Sequence, residues 1–557
     1  MKQPISSSIE TGPAPDATGR PSASGMKPVL WLTGALALTW LSGWARALGW
    51  PLLPVDETRY LSVAWEMWLR GEVWVPHLNG AIYTDKPPLL FWLIHLGWAV
   101  GGVGDLWPRM LPVLAATGAV LLTARLARVL WPREAPVHAA VWVLVTSGLW
   151  FLWSGLVMFD LVLTVFVLLG WNALVHPPRG QARWWWWALA VAGGVLTKGP
   201  VVLLFLLPPA ALVRLWHPRA SHADWHRRWL TATGVGLLPV LIWLMLAVRR
   251  AGWHYGLAVG FHQTAHRVVH SYAHRRPFWW YLPLLPLITM PWGLRLLLFC
   301  NAPWLRTAAS DPGLRFLAAA TLPAFVMLSA ISGKQVHYLL PLFPALALAL
   351  ARHAHACESG WSRIWRWAWA GLFTFPLVAW LVGRWGPVPT IWLQWVSGLP
   401  AWSVVLPAAL GTVMTMISRR HRSFRIETWA CTAGVAMWIW TLGAGPSLKA
   451  HVQLDALAQE VRLLEQQDRP VAWMGHYQGQ LHFLGRLERP LPVLGTEEVE
   501  QWIAAHPDGV VLVSLKHRPQ ADLPEGIRWF CVEPGGIVLV PARSWGQIAP
   551  VVCPGVR

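Results

Sequence analysis

Apolar residues in this chain come in long unbroken runs, and polar residues come in short clusters between them. Val29–Leu48, Leu230–Val248 and Phe278–Phe299 are each close to the ~20 residues that carry an α-helix across a bilayer. A transmembrane β-barrel would need short segments of alternating polarity, and the runs do not alternate. The pattern predicts an all-α polytopic membrane protein. Leu89–Gly104 is too short for a crossing, opens on Pro87-Pro88 and ends in GGVGD, which predicts a helix lying along the interface. VDETRYLSVAWEMWLRG has amphipathic spacing and predicts a second interfacial helix with Asp56 at its N-cap. From about Ser447 the pattern changes. LDALAQEVRLLEQQ and VEQWIAAHP space their apolar residues as helices, whereas PVAWMG, GVVLVSL and GGIVLVP read as short buried strands. Three regions follow: a disordered polar tail over 1–27, a membrane domain over 28–446, and a small soluble α/β domain over 447–557.

Composition supports this class. Hydrophobic residues make up 55% of the 557 and charged residues 13%, against about 25% charged in a soluble domain. The 44 tryptophans predict aromatic belts where helices meet the headgroups, with Trp184–Trp187 as one cluster. The first run has no clear small-residue cleavage site and reads as a retained helix. The net charge of +19 reads as basic cytoplasmic loops, and no basic groove with interleaved aromatics suggests a nucleic-acid partner.

Lys2, Arg20 and Lys27 put the start of the chain in the cytoplasm. With Leu89–Gly104 at the interface, Arg125, Arg128, Arg133 and the later arginine clusters also fall inside. About 13 crossings result, and the α/β domain lies outside. Cys531 and Cys553 then share an oxidising compartment, where a disulfide and two free thiols are both open.

The outer face gathers the unusual charges. Asp56 reads either as a plain cap or as a general base for an acceptor hydroxyl or amine. Asp160 stands in LVMFDLVLTVF, where a lone carboxylate costs several kcal/mol unless a partner or water reaches it. It is either functional or paired with an arginine. Lys86, Lys198 and Lys334 sit at helix ends punctuated by Pro or Gly, in DKPP, TKGP and GKQVHY. Such lysines bind phosphate, although a phospholipid headgroup or snorkelling would also account for each. His262, His266, His270 and His274 recur every four residues, a spacing that can place a zinc pair on one helix face, with Asp85 as a carboxylate partner. A polar loop without metal is the alternative. Arg267, Arg275 and Arg276 in the same loop suit a phosphate or diphosphate.

DETRY after the first helix, then YTDKPPLLFW, MFDLVLT, LTKGP, RRPFWWYLP and SGKQVHYLLPLFP follow one another in this order. The set resembles the polyprenyl-phosphate-sugar-dependent glycosyltransferases of the GT-C membrane fold, in particular the lipid A aminoarabinose transferases and the protein O-mannosyltransferases. The resemblance covers about Leu30 to Ala351 and is looser beyond. It implies an inverting transfer of a sugar from undecaprenyl phosphate to a periplasmic-side acceptor, with lipid A first and another glycan or a protein as alternatives, in the bacterial inner membrane. By position, Asp56 matches the catalytic acid and Asp160 the acid that lines the same cavity. Lys86 matches the lysine on the lipid phosphate, and Tyr338 a tyrosine near it. Arg59 and Lys334 lie beside these matches. Asp85 stands where aminoarabinose transferases commonly carry a zinc-binding glutamate, with His262 or His266 as partner. No nucleotide cofactor is implied. A lipid-linked sugar flippase is the rival reading, but its inverted repeats and midplane charges are not found in the sequence. A non-catalytic scaffold is a third.

Overall fold

The computed structural model describes residues 26–133, 136–175, 182–218, 222–259, 275–293, 295, 306, 308–356, 363–385, 396, 398–420, 426–516, 523–532 and 535–552. The tail over 1–25 lies outside these residues. Six stretches among them are long and apolar enough to cross a membrane: Leu106–Leu130, Ala182–Ala211, Asp224–Ala251, Pro312–Ala330, Val336–Ala354 and Ala401–Ser418. Helices Met26–Gly49, Arg363–Trp385 and Ile426–His451 match them in length. The molecule is a polytopic helical membrane protein with a small α/β domain.

Helices are numbered from the start: α1 (Met26–Gly49), α2 (Asp56–Leu69), α3 (Leu89–Gly101), α4 (Leu106–Leu130), α5 (Val137–Val145), α6 (Gly148–Trp153), α7 (Phe159–Val175), α8 (Ala182–Lys198) and α9 (Leu203–Ala211). At 13 residues α3 rises about 20 Å, short of the ~30 Å hydrocarbon core, as expected for an interfacial helix. It buries Leu90, Phe91, Ile94 and Trp98 along one stripe and leaves Leu96 and Val100 exposed. By contrast α2 departs from the expected surface helix. It is buried almost all round, because the small domain covers the face that would otherwise meet water.

The stretch Ala182–Ala211 is no straight span. A Cβ built on Gly170 of α7 would stand 3.4 Å from the Ala190 Cβ and 2.4 Å from Leu206 Cδ2. Residues 190 and 206 of one straight helix would lie about 24 Å apart. The chain therefore doubles back, through a 3₁₀ turn at Gly199–Val202 in which Gly199 takes φ +75°. Lys198 ends α8 at the tip of this hairpin.

Tryptophan does more than the expected belts. Trp185 and Trp186 are exposed, but Trp98, Trp150, Trp171, Trp187, Trp292, Trp369, Trp429 and Trp473 are fully buried. Several indoles reach a carbonyl of another element. Trp50 Nε1 donates to Thr441 O at 2.8 Å, Trp171 Nε1 to Phe205 O at 2.9 Å, and Trp142 Nε1 to Trp31 O at 3.0 Å. A buried indole supplies apolar area and one donor, so these rings both fill the bundle and fasten it.

Beyond Ile426–His451, β3 (Val471–Met474), β4 (Val493–Leu494), β5 (Val510–Leu515), β6 (Arg528–Val532) and β7 (Gly535–Pro541) form one sheet in the order β4-β3-β5-β7-β6, counting β1 (His77–Leu78) and β2 (Ala81–Ile82) as a separate hairpin. β3 pairs parallel with β4 and β5, and β7 pairs antiparallel with β5 and β6. The alternation along the strands feeds two cores. Val471, Trp473 and Leu512 face helix Leu454–Gln466, while Ala472, Val511 and Val513 lie in the other core with Val499 and Trp545. β4 and β6 are absent from the sequence expectation: one is two residues long, and the other carries only half-buried side chains inside.

The domain docks on α2. Phe483 N donates to Ser62 Oγ at 3.0 Å, and the Ser62 hydroxyl donates to Gly479 O. Trp65 Nε1 donates to Leu487 O at 2.9 Å, and Phe483 stacks on Trp98 with ring centres 5.6 Å apart. His482, beside this contact, is 4% exposed and receives or donates a 2.7 Å hydrogen bond with Tyr477 Oη.

Two outcomes follow. A Cβ on Gly236 would stand 2.5 Å from the Ala188 carbonyl oxygen, a backbone atom that cannot rotate away. Gly236→Val forces its helix off α8 and lowers stability by about 1–3 kcal/mol, read as a lower Tm in detergent. Burial lowers the His482 pKa to about 4. The folded value lies below the unfolded one, so this stability is complete above the unfolded pKa of about 6.5 and is lost as pH falls toward 4, up to ~3 kcal/mol. A Tm measured from about pH 7 down to pH 5 should fall, and His482→Asn should flatten that slope.

Candidate active site

Asp56 is the first residue of α2, and Val55 takes the cap position, with no side-chain cap bond. The expected N-cap role is therefore corrected: the carboxylate is not spent on the helix's own amides. It turns to the next turn, where Arg59 Nη2 and Tyr60 Oη, the latter at 3.1 Å, both donate to Asp56 Oδ1. Burial first, then the neighbouring Asp56 carboxylate, pushes the Tyr60 phenol well above its ordinary range, so Tyr60 stays a donor. The Tyr60 ring meets Phe159 edge-on at 4.8 Å, and Phe159 precedes Asp160.

Asp160 opens α7 and is 1% exposed. Its partner is Lys198, not an arginine: Lys198 Nζ donates to Oδ1 at 2.5 Å from the tip of the α8–α9 hairpin. The same ammonium lies 4.7 Å from the centre of the Tyr338 ring. Tyr338 sits in the 3₁₀ helix Val336–Leu342 beside His337, whose ring it meets at 4.9 Å. His337 lies within electrostatic reach of Asp160, Lys198, Asp56 and Lys86 together. Elements far apart in sequence thus deliver both acids, two lysines and the tyrosine to one place. His337 had no role in the sequence reading, although it stands in the GKQVHY motif.

Lys86 follows β2, and its Nζ lies 3.4 Å from the Asp85 carbonyl. Lys334 is 2% exposed and donates to Arg276 O at 3.1 Å and to Ile331 O, so it fastens one loop to another. Arg275 is exposed and pairs through its backbone with Gly333. His262, His266 and Arg267 lie outside the described residues, as does Cys553. Among the described residues, Asp85 included, no group of three or more His, Cys, Asp or Glu could hold a metal ion.

Glu57, like His337, was given no role by sequence reasoning. It is 4% exposed. Its two oxygens accept from Leu53 N at 3.0 Å and from Val157 N at 2.8 Å. Burial raises its pKa, while Arg109, the two backbone donors and Arg46 pull it back. Arg109 in turn donates to Trp50 O at 3.1 Å and pairs with Asp105 at 3.1 Å. Glu57 so ties the residue next to Asp56 to a segment three residues before Asp160.

Comparison with known proteins agrees with this architecture. Residues 85–245 match the family described as dolichyl-phosphate-mannose-protein mannosyltransferase. A Pseudomonas paraeruginosa protein named undecaprenyl phosphate-alpha-4-amino-4-deoxy-L-arabinose arabinosyl transferase is 33% identical over 309 residues, 53% of this chain and 54% of that protein. A protein of the same name from Edwardsiella ictaluri is 30% identical over 314 residues, with 53% and 54% covered. The chain thus spans about half the length of the curated relatives it matches. Crystal structures of ArnT from Cupriavidus metallidurans, in the apo state and bound to undecaprenyl phosphate, superpose with TM-scores of 0.72 and 0.71. Each covers 94% of this chain and 98% of that one, at 17% and 18% identity. The chain has the GT-C fold, and the resemblance read from its motifs holds.

Removing Glu57 leaves two amides without their acceptor and takes the nearby negative charge from Arg46 and Arg109. Glu57→Ala should cost about 3–5 kcal/mol. Thermal unfolding in detergent measures the loss, and a variant as stable as the parent would show that the buried cluster does not bind these segments together.

Proposed function

We propose that the protein is an inverting glycosyltransferase that moves a sugar from an undecaprenyl-phosphate donor to an acceptor at the periplasmic face of the bacterial inner membrane. The acceptor that fits the relatives best is lipid A, with a 4-amino-4-deoxy-L-arabinose-type sugar transferred. One observation carries the reading: the Asp160–Lys198 pair lies over Tyr338, and Tyr60, which donates to Asp56, packs on Phe159 beside Asp160. An acid with room beside it and a buried acid–lysine pair are what a reaction needs when an acceptor must lose a proton and a leaving phosphate must gain charge.

The side chains divide as follows. Asp56, with side-chain exposure of 35%, takes the proton of the attacking hydroxyl, while Arg59 and Tyr60 hold its other oxygen. Lys86 and Lys198 stabilise the phosphate as the glycosidic bond breaks, and Arg275 stands at the exposed rim to meet the headgroup. Asp160 holds the Lys198 ammonium, and the Tyr338 ring supports it from one side. A single displacement inverts the sugar carbon. Lys334 braces the rim loops in this scheme. The arginine-rich loops opposite the site support a periplasmic orientation.

Transfer from undecaprenyl-phosphate aminoarabinose to lipid A, followed by mass spectrometry, tests the reading. Asp56→Asn should lose about 10²–10⁴-fold in rate. Lys198→Ala should lose about 10²–10³-fold. Full rates in both variants would refute the assignment, and an unchanged lipid A profile with and without the gene would remove lipid A as the acceptor.

A further inference from the structure

Arg59 uses its guanidinium in an unusual way. Nη2 donates to Asp56 Oδ1, while Nη1 points away and donates to Gln478 Oε1 at 2.7 Å, 419 positions along the chain. Nε is buried with no partner. A carboxylate commonly takes arginine through two parallel N–H bonds, and the Nε/Nη2 edge is one such fork. Turning that edge onto both oxygens of Asp56 would satisfy Nε. It would also close Oδ2, which accepts no hydrogen bond among the described residues.

Gln478 holds Nη1 on the side away from Asp56. It lies in the loop after β3, between Gly475 at φ +90° and Gly479 at φ +76°. Its own amide donates to Gln480 Oε1 at 2.9 Å. The carbonyl of Gly479 accepts the hydroxyl of Ser62, about one turn beyond Arg59 on α2. The loop is pressed closely enough that a Cβ at Gly479 would stand 2.4 Å from Leu78 Cδ1. The amide oxygen of Gln478 is thus held by the small domain's docking contact.

We infer that Gln478 is a positioning residue: it holds Arg59 on one oxygen of Asp56 and keeps the other open for the acceptor proton. The small domain then acts in the chemistry through a single hydrogen bond. The inference rests on the transferase reading above.

The test compares Gln478→Met, which keeps length but loses the acceptor, with Gln478→Glu, which keeps it. The probes are undecaprenyl-phosphate aminoarabinose and lipid A. A hydrogen bond to a charged group corresponds to about 10- to 100-fold, and Gln478→Met should lose that much in kcat. KM for the donor and Tm should stay unchanged. Gln478→Glu should recover most of the rate. In an Arg59→Met background, adding Gln478→Met should cost nothing further, because the residue acts through Arg59. A wild-type kcat in Gln478→Met overturns this inference alone. So does equal loss in the Met and Glu variants accompanied by a lower Tm, which marks a structural role. A parent protein that transfers no sugar between these substrates overturns the transferase reading and this inference with it.

Discussion

A carboxylate 1% exposed on an apolar helix needs a counter-charge at hydrogen-bond distance, and for Asp160 that need shapes the surrounding structure. Lys198 can supply it only if α8 ends beside the start of α7. Gly199 at positive φ lets α8 end there and the chain return as α9. The close approach of α9 to α7 at Gly170 then has a cause beyond packing. The same ammonium sits over the Tyr338 ring, so the 3₁₀ helix at Val336–Leu342 is drawn into the same place. One ion pair therefore orders two consecutive helices and a 3₁₀ helix far along the chain.

The second buried cluster works in a related way with a different result. Glu57 accepts from two backbone amides under the influence of two buried arginines. Such a cluster contributes little net stability compared with an apolar core, but it admits few alternative geometries. That trade suits the junction between the acids. A slip of α2 by one residue would move Asp56 away from Arg59 and Tyr60 and would strand Glu57. Precision here comes from charges that tolerate no other arrangement, with the apolar side chains filling in around them.

Much of this was legible in the sequence, and the reasons for the rest are specific. Twenty-residue runs and the change near Ser447 announced the class, and GVVLVSL and GGIVLVP announced β5 and β7, because burial on both faces writes itself into composition. The indole network adds to the expected belts and is not legible beforehand, since a buried tryptophan and an interfacial one look the same in a composition. Asp56 resembled a cap because caps are common, and only coordinates show Val55 in that position. The partner of Asp160 had to be a cation, but no spacing rule selects Lys198 over the many arginines. Glu57 was hidden because its partners are backbone amides, which have no letter in a sequence.

Gln478 shows the deepest limit. A neutral amide between two glycines in a surface domain carries no sequence signal for a membrane-embedded reaction. Its significance lies in what Arg59 would otherwise do. An unpaired buried Nε and a carboxylate with one open oxygen are two unsatisfied states that a small rotation would relieve together. A restraint from outside α2 keeps both states, and the docked domain is in contact at that point. The constraint then runs in both directions. The domain needs the contacts of α2 with Ser62 and Trp65 to sit in register, and the acid at the start of α2 needs the domain to keep an oxygen free.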